Sequence, residues 1–217
     1  LPGHRRQEGV KMPRYLVSVA GNIGVGKTTL TQLLGERLGW RTFYEQVIDN
    51  PYLPDFYADM RRWSFHLQIY FFTHRFRMFQ EMLAADTSCV QDRTIYEDLE
   101  IFARTLHRQG YLDDRDFANY RRLFETMIPF LPKPELVIYL RASPEFLLER
   151  IRARGRDFER GITLEYLRGL HAAYEDWVER ASSSLSFLTI EAETFDIHRP
   201  EDVERVLSAV RRCCPEG

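Results

Sequence analysis

Cysteine is scarce in this chain, long apolar runs are missing, and neither sign of charge dominates. Among 217 residues there are three cysteines, Cys89, Cys213 and Cys214. They cannot all pair within one chain, and their spacing matches no metal-binding pattern. Neither a disulfide framework nor a cysteine-based metal site is expected, and the reducing cytoplasm is the expected compartment. No apolar stretch approaches the ~18 residues needed to span a bilayer, so no membrane partner is expected. The 30 basic side chains oppose 32 acidic ones, for a formal net charge of -2. That balance argues against bulk binding of nucleic acid, although a local basic cluster can still hold phosphate. The opening Leu1–Pro13 segment is polar and basic without an apolar core. It does not read as a secretion signal and is expected to be a disordered tail. Repeats, low-complexity tracts and linkers are absent, so residues 14–217 read as one domain.

What is present is a regular alternation. Strand candidates Tyr15–Ala20, Arg41–Glu45, Ser88–Asp92, Glu135–Arg141 and Phe187–Ile190 recur between helical stretches. Most are short and largely apolar, as strands are when both faces are covered. The expected fold is α/β, a doubly wound parallel five-stranded sheet with helices on both faces. Helical periodicity marks Thr29–Leu38, Trp63–Leu83, Tyr96–Gln109, Asp114–Ile128, Pro144–Arg154, Thr163–Ala181 and Pro200–Cys213.

A glycine loop joins the first strand to the first helix. Gly21, Asn22, Ile23, Gly24, Val25, Gly26, Lys27 and Thr28 follow the pattern G-x-x-x-x-G-K-[ST], and Thr29 continues into the helix. An ordinary glycine-rich turn can match that string but lacks the flanking strand and helix. Glycines let successive backbone N–H groups converge on phosphate oxygens, and the helix dipole adds to the field. Lys27 is placed to reach the β- and γ-phosphates of a bound nucleotide, and the Thr28 hydroxyl to ligate Mg²⁺. A P-loop kinase-type sheet is therefore expected.

Ligands of a doubly wound sheet sit beyond the carboxyl ends of its strands. Glu45 ends the second candidate strand, and Asp92 and Arg93 follow from the third. Phosphoryl transfer to a hydroxyl needs a donor cradle, a metal, a base and positive charge. Glu45 is the base candidate; the alternative is an ordinary surface carboxylate. Asp92 is placed to hold Mg²⁺ through water, or else caps a helix beginning at Ile95. Arg93 offers a guanidinium fork that suits both Glu45 and an acceptor oxygen. Further on, Arg150, Arg152, Arg154 and Arg156 place four arginines in seven residues, with Gly155 breaking the helix. Alone they read as a solvated basic face; behind a phosphate loop they read as an arginine-rich lid.

With these residues the chain resembles the deoxynucleoside kinases, and among them the bacterial deoxyadenosine/deoxycytidine kinases. The matching stretches are Gly21–Thr28, Asp49–Tyr57, Trp63–Tyr70, Gln91–Asp98, Ile101–Ala103 and Arg154–Arg156. The resemblance implies phosphorylation of a deoxynucleoside 5′-hydroxyl by ATP with Mg²⁺, and commonly a homodimer built on long helices. It implies Glu45 as general base and Arg93 as the arginine at that hydroxyl, with Tyr57 and Glu159 holding the sugar 3′-hydroxyl. Arg150, Arg154 and Arg156 match the lid arginines. Many members carry Glu where this chain has Asp92. Gln68 matches the amide that reads the nucleobase edge, and Phe102 the ring that stacks on the base. Trp63 and Phe65 are expected in the pocket wall, and His66 in packing. Arg75 and Asp98 match the charged pair that replaces small apolar residues of thymidine-using relatives. An amide offers one donor and one acceptor, which suits the edge shared by adenine and cytosine. The charged pair leaves less room for a 5-methyl group, so thymidine is disfavoured.

Three alternatives keep the loop. A deoxyguanosine kinase of the same family differs in the base alone. A P-loop regulator without an acceptor would leave the aromatic helix around Gln68 without a purpose, and no Asn-Lys-x-Asp guanine motif occurs. A nucleoside monophosphate kinase would bring a second phosphate toward Glu45, which would repel it.

Overall fold

Side chains alternate across a strand, and that alternation divides the apolar residues between two cores. Leu16, Ala20, Cys89, Val137 and Tyr139 belong to one; Val17, Val19, Val90, Leu136, Ile138 and Leu140 belong to the other. All are buried, so the central strands have no solvent face. In the computed structural model, which describes residues 15–45 and 50–215, the strands are β1 (Leu16–Gly21), β2 (Arg41–Phe43), β3 (Cys89–Asp92), β4 (Leu136–Arg141) and β5 (Phe187–Glu191). They pair in parallel in the order β2-β3-β1-β4-β5. The expected doubly wound five-stranded sheet is present.

The helices are α1 (Lys27–Leu38), α2 (Leu53–Ala58), α3 (Met60–Leu83), α4 (Ile95–Glu97), α5 (Arg104–Arg108), α6 (Asp114–Met127), α7 (Pro144–Arg154), α8 (Leu164–Ala181) and α9 (Pro200–Cys213). Leu30 and Leu34 of α1, Leu147 and Ile151 of α7, and Val203, Val206 and Val210 of α9 fill one core. Phe56 of α2, Leu67 and Phe72 of α3, Tyr120 of α6, and Tyr174 and Trp177 of α8 fill the other. Each such side chain contributes about 1.5–3 kcal/mol of burial. β1 lies between β3 and β4, on opposite sides of which the chain winds, so its carboxyl end opens the crevice of the sheet.

Local chemistry moved several boundaries. α3 begins at Met60 rather than Trp63 because the Asp59 side chain accepts the Arg62 N–H and caps it. The short α2, with Pro54 in its first turn, falls in a stretch given no element from periodicity. The helix expected over Tyr96–Gln109 is three pieces, with a π-helical turn at Asp98–Ala103 between α4 and α5. The Leu1–Pro13 expectation and the start of the Asp49–Tyr57 stretch lie outside the described residues. No helix among the described residues is long and apolar enough to cross a membrane.

Candidate active site

The phosphate loop closes on backbone that only glycine adopts readily. Gly24 and Gly26 have φ of +82° and +108°, and a Cβ on Gly24 would sit 2.8 Å from the Ile151 side chain. Lys27 is buried, and its Nζ donates to the carbonyls of Gly21 (2.9 Å) and Asn22 (3.0 Å). Burial, helped by the nearby Arg93 charge, lowers its pKa from 10.5 to about 8. An anion brought to the loop would relieve that cost. The Thr28 hydroxyl donates to Asp92 Oδ2 at 2.5 Å. Asp92 Oδ1 is buried with no hydrogen-bond partner, and burial raises this carboxyl's pKa. A hydroxyl, a carboxylate and an orphaned buried oxygen fit a hard divalent cation. Among the described residues no cluster of three or more His, Cys, Asp or Glu side chains is able to hold a metal. Such an ion would therefore draw its other ligands from phosphate and water. Helix capping falls to Thr94, which accepts from the Glu97 N–H at 3.2 Å, so Asp92 is not spent on that role.

Arg93 has φ of +74°, alone among the described non-glycine residues. That left-handed backbone costs about 1–3 kcal/mol and persists where surroundings impose it. Its N–H still bonds Val19 O at 2.8 Å, while its side chain is tied at several points. Nε donates to Glu45 Oε2 at 3.1 Å, and Nη1 donates to Glu97 Oε1 at 3.0 Å and to the Tyr174 hydroxyl at 2.9 Å. Its guanidinium carbon lies 4.5 Å over the Phe102 ring. Glu45 also accepts from Arg75 Nη2 at 2.6 Å. Burial would raise the Glu45 pKa, but Arg93, Arg75 and Lys27 overcome it and bring it from 4.5 to about 2. Arg75, 3% exposed, spends Nε on Asp98 Oδ2 at 2.8 Å. Burial pushes Asp98 up to about 6, with Arg75 offsetting part of the rise.

One cavity of about 340 Å³ joins these parts. Lys27, Thr28 and Asp92 line it together with Glu45, Arg93, Gln68, Asp98 and Phe102. Gln68 is 2% exposed, and no hydrogen bond holds its amide among the described residues. Tyr57, Arg154, Arg156 and Glu159 form a further wall. Burial pushes the Tyr57 phenol up. Glu159 accepts from Arg154 Nη2 at 2.6 Å and lies 3.7 Å from Arg156 Nη1, so the last arginine of α7 and the one just beyond it rest on a carboxylate. Gly161 lets that segment pack on α2, since a Cβ there would meet Tyr57 backbone at 3.0 Å.

Several expected neighbours lie elsewhere. Arg150 is absent from this cavity: it packs on the Phe146 ring and reaches toward Gly26 in a second cavity of about 170 Å³. Phe195, Asp196 and Ile197, which sequence reasoning missed, line that cavity with Val25 and Thr29. Arg75 stands behind Glu45 and Asp98 and is not part of the first cavity's lining. Trp63, Phe65 and His66 are also outside that lining; Trp63 and His66 pack against Tyr52, at 5.8 and 6.2 Å between centroids. They precede Gln68 by five and two residues, which turns them to the far side of α3. The aromatic wall is instead Phe56, Phe71, Phe158 and Tyr166. Phe71 was findable, being one helical turn beyond Gln68.

The family model described as "Deoxynucleoside kinase" matches residues 17–215. The deoxyadenosine kinase of Dictyostelium discoideum is 42% identical over 89% of this chain and 78% of its own length. The deoxyadenosine/deoxycytidine kinase of Bacillus subtilis is 40% identical over 90% of this chain and 91% of its own. Among solved structures, the M. mycoides deoxyadenosine kinase with the products dCMP and a flexible dCDP bound superposes with a TM-score of 0.83. It is 28% identical, covering 91% of this chain and 99% of that one.

Proposed function

The chain belongs to the deoxynucleoside kinase family, and on that premise we propose that it moves the γ-phosphoryl group of ATP to the 5′-hydroxyl of deoxyadenosine or deoxycytidine. It is an ATP-dependent phosphotransferase acting on deoxynucleosides. The observation that carries the finer reading is the single cavity lined at once by the phosphate grip, by Glu45 and Arg93, and by the Gln68 amide that no hydrogen bond holds among the described residues.

Lys27 and the loop amides hold the donor phosphates. Thr28 and Asp92 would hold Mg²⁺, which neutralises charge on the β- and γ-phosphates when bound. Glu45 is ionised at every working pH, so it accepts the hydrogen bond of the 5′-hydroxyl and fixes its direction. A group with a pKa of about 2 is a weak base. That suffices when the transition state is loose and the hydroxyl proton leaves late. Arg93 bridges Glu45 and the acceptor oxygen. Phosphate oxygens draw Arg154 and Arg156 from Glu159, which frees that carboxylate to join Tyr57 at the sugar 3′-hydroxyl. Gln68 reads the acceptor-plus-amino edge of adenine or cytosine, Phe102 stacks on the base, and the Arg75–Asp98 pair excludes a 5-methyl group. The second cavity, with Arg150 beside Phe195, receives the donor's base. A cytoplasmic homodimer engaged in nucleotide salvage completes the reading.

A panel of four deoxynucleosides with ATP tests it. Deoxyadenosine or deoxycytidine is expected to give the highest kcat/KM, with thymidine at least ~10²-fold below. Deoxyguanosine leading the panel, or efficient use of thymidine, would overturn the base assignment.

A further inference from the structure

Glu97 is fully buried, does not line the cavity, and has no part in the transfer just described. Its Oε2 accepts the Thr94 N–H at 2.6 Å, which completes the capping box of α4. Capping needs only that oxygen. Its Oε1 faces three other groups: Arg93 Nη1 at 3.0 Å, the Tyr174 hydroxyl at 2.5 Å and the Gly21 N–H at 3.3 Å. Tyr174 adds a second link, since its hydroxyl oxygen also accepts from Arg93 and lies 2.8 Å from Gly21 O. Lys27 Nζ bonds that same carbonyl. One carboxylate oxygen and one phenol therefore tie the first residue of the phosphate loop to the arginine at the acceptor hydroxyl. A buried carboxylate with that many donors is fixed in place, and it fixes them.

We propose that Glu97 and Tyr174 are a positioning pair that sets Arg93 against the phosphate loop, and so the line from attacking hydroxyl to γ-phosphorus. This rests on the phosphotransfer reading. Misplacement by about 1 Å at such a centre costs about 10²-fold in rate. Neither residue touches substrate in the proposed pose, so both substrates keep their binding contacts and the loss falls on kcat.

Glu97→Gln keeps the shape and one acceptor oxygen, and Tyr174→Phe removes only the hydroxyl. Each variant and the double variant is assayed well below its own Tm, with kcat normalised to the nucleotide-binding fraction measured by calorimetry. For Glu97→Gln, kcat is expected to fall about 10–100-fold, with KM for ATP and nucleoside within about 3-fold of wild type. The double variant is expected to lose much less than the product of the two single losses, because carboxylate and hydroxyl hold each other and the same Arg93 Nη1 and Gly21, and so act as one unit. Normalised kcat within about 2-fold of wild type overturns the inference. So do losses confined to KM, and single losses that simply multiply. A wild-type protein that phosphorylates no deoxynucleoside removes the premise as well, which separates the two failures.

Discussion

Glu45 sits between two guanidinium groups at 2.6 and 3.1 Å, and the balance of burial against those charges decides what it can do. Replacing it with Gln is expected to cut turnover by at least ~10²-fold while calorimetry shows triphosphate affinity largely intact. Stability carries a sign. The folded carboxyl's pKa of about 2 lies below its ordinary 4.5, so its contribution is present above pH 4.5 and is lost as pH falls toward 2. That contribution is on the order of 3 kcal/mol at most. Glu45→Gln should therefore lower Tm at pH 7, and its gap to wild type should narrow over that acid window. Glu45, Asp92 and Arg93 were legible in the sequence because strand ends are where a doubly wound sheet presents chemistry. Glu97 was not singled out: the capping-box spacing Thr94-x-x-Glu97 went unread, and the cap was weighed at Asp92 instead. Tyr174 gave no signal, since it lies 77 residues from its partner Glu97 inside an ordinary amphipathic helix.

At the scale of elements, punctuation was readable and helical irregularity was not. Pro144 and Gly155 bounded α7 as expected; the Ser143 side chain caps its start by accepting the Phe146 N–H, and Gly155 is the left-handed residue that ends it. The π turn at Asp98–Ala103 left no mark, because one extra residue inside a helix barely disturbs apolar spacing over so short a span. Pocket-wall residues were misjudged on α3 because adjacency in sequence was read as adjacency in space. The glycines allow a graded test. Nothing lies within 4 Å of a Cβ built on Gly155, so Gly155→Ala pays only for its φ of +69°. A loss of about 1 kcal/mol, seen as a Tm lower by a few degrees, is expected with nucleotide affinity preserved. Gly24→Ala adds a 2.8 Å contact with Ile151 to an unfavourable φ. It should weaken triphosphate binding outright, with calorimetry as the measure.

For the molecule as a whole, the sheet is the shared wall of both cores, so neither core can open while the other stays packed. Heat or urea should then give one transition, whichever probe is used. The three tryptophans sample both sides: Trp177 and Trp63 pack in one core and Trp40 against the other. Variants retaining only Trp40 or only Trp177 should report the same midpoint as far-UV circular dichroism; separated midpoints would mean the cores melt independently. The alternation of strands and helices made this architecture legible from the start, since periods of two and of 3.6 survive any local detail.

In the proposed pose the residues that face the nucleobase ride on α3 and the π turn, whereas the phosphate grip belongs to the β1–α1 junction. Selection can therefore revise the diet of the enzyme on one set of elements without retooling the machinery carried by another. Relatives with different base preferences are the lineage one would expect from so divisible a scaffold.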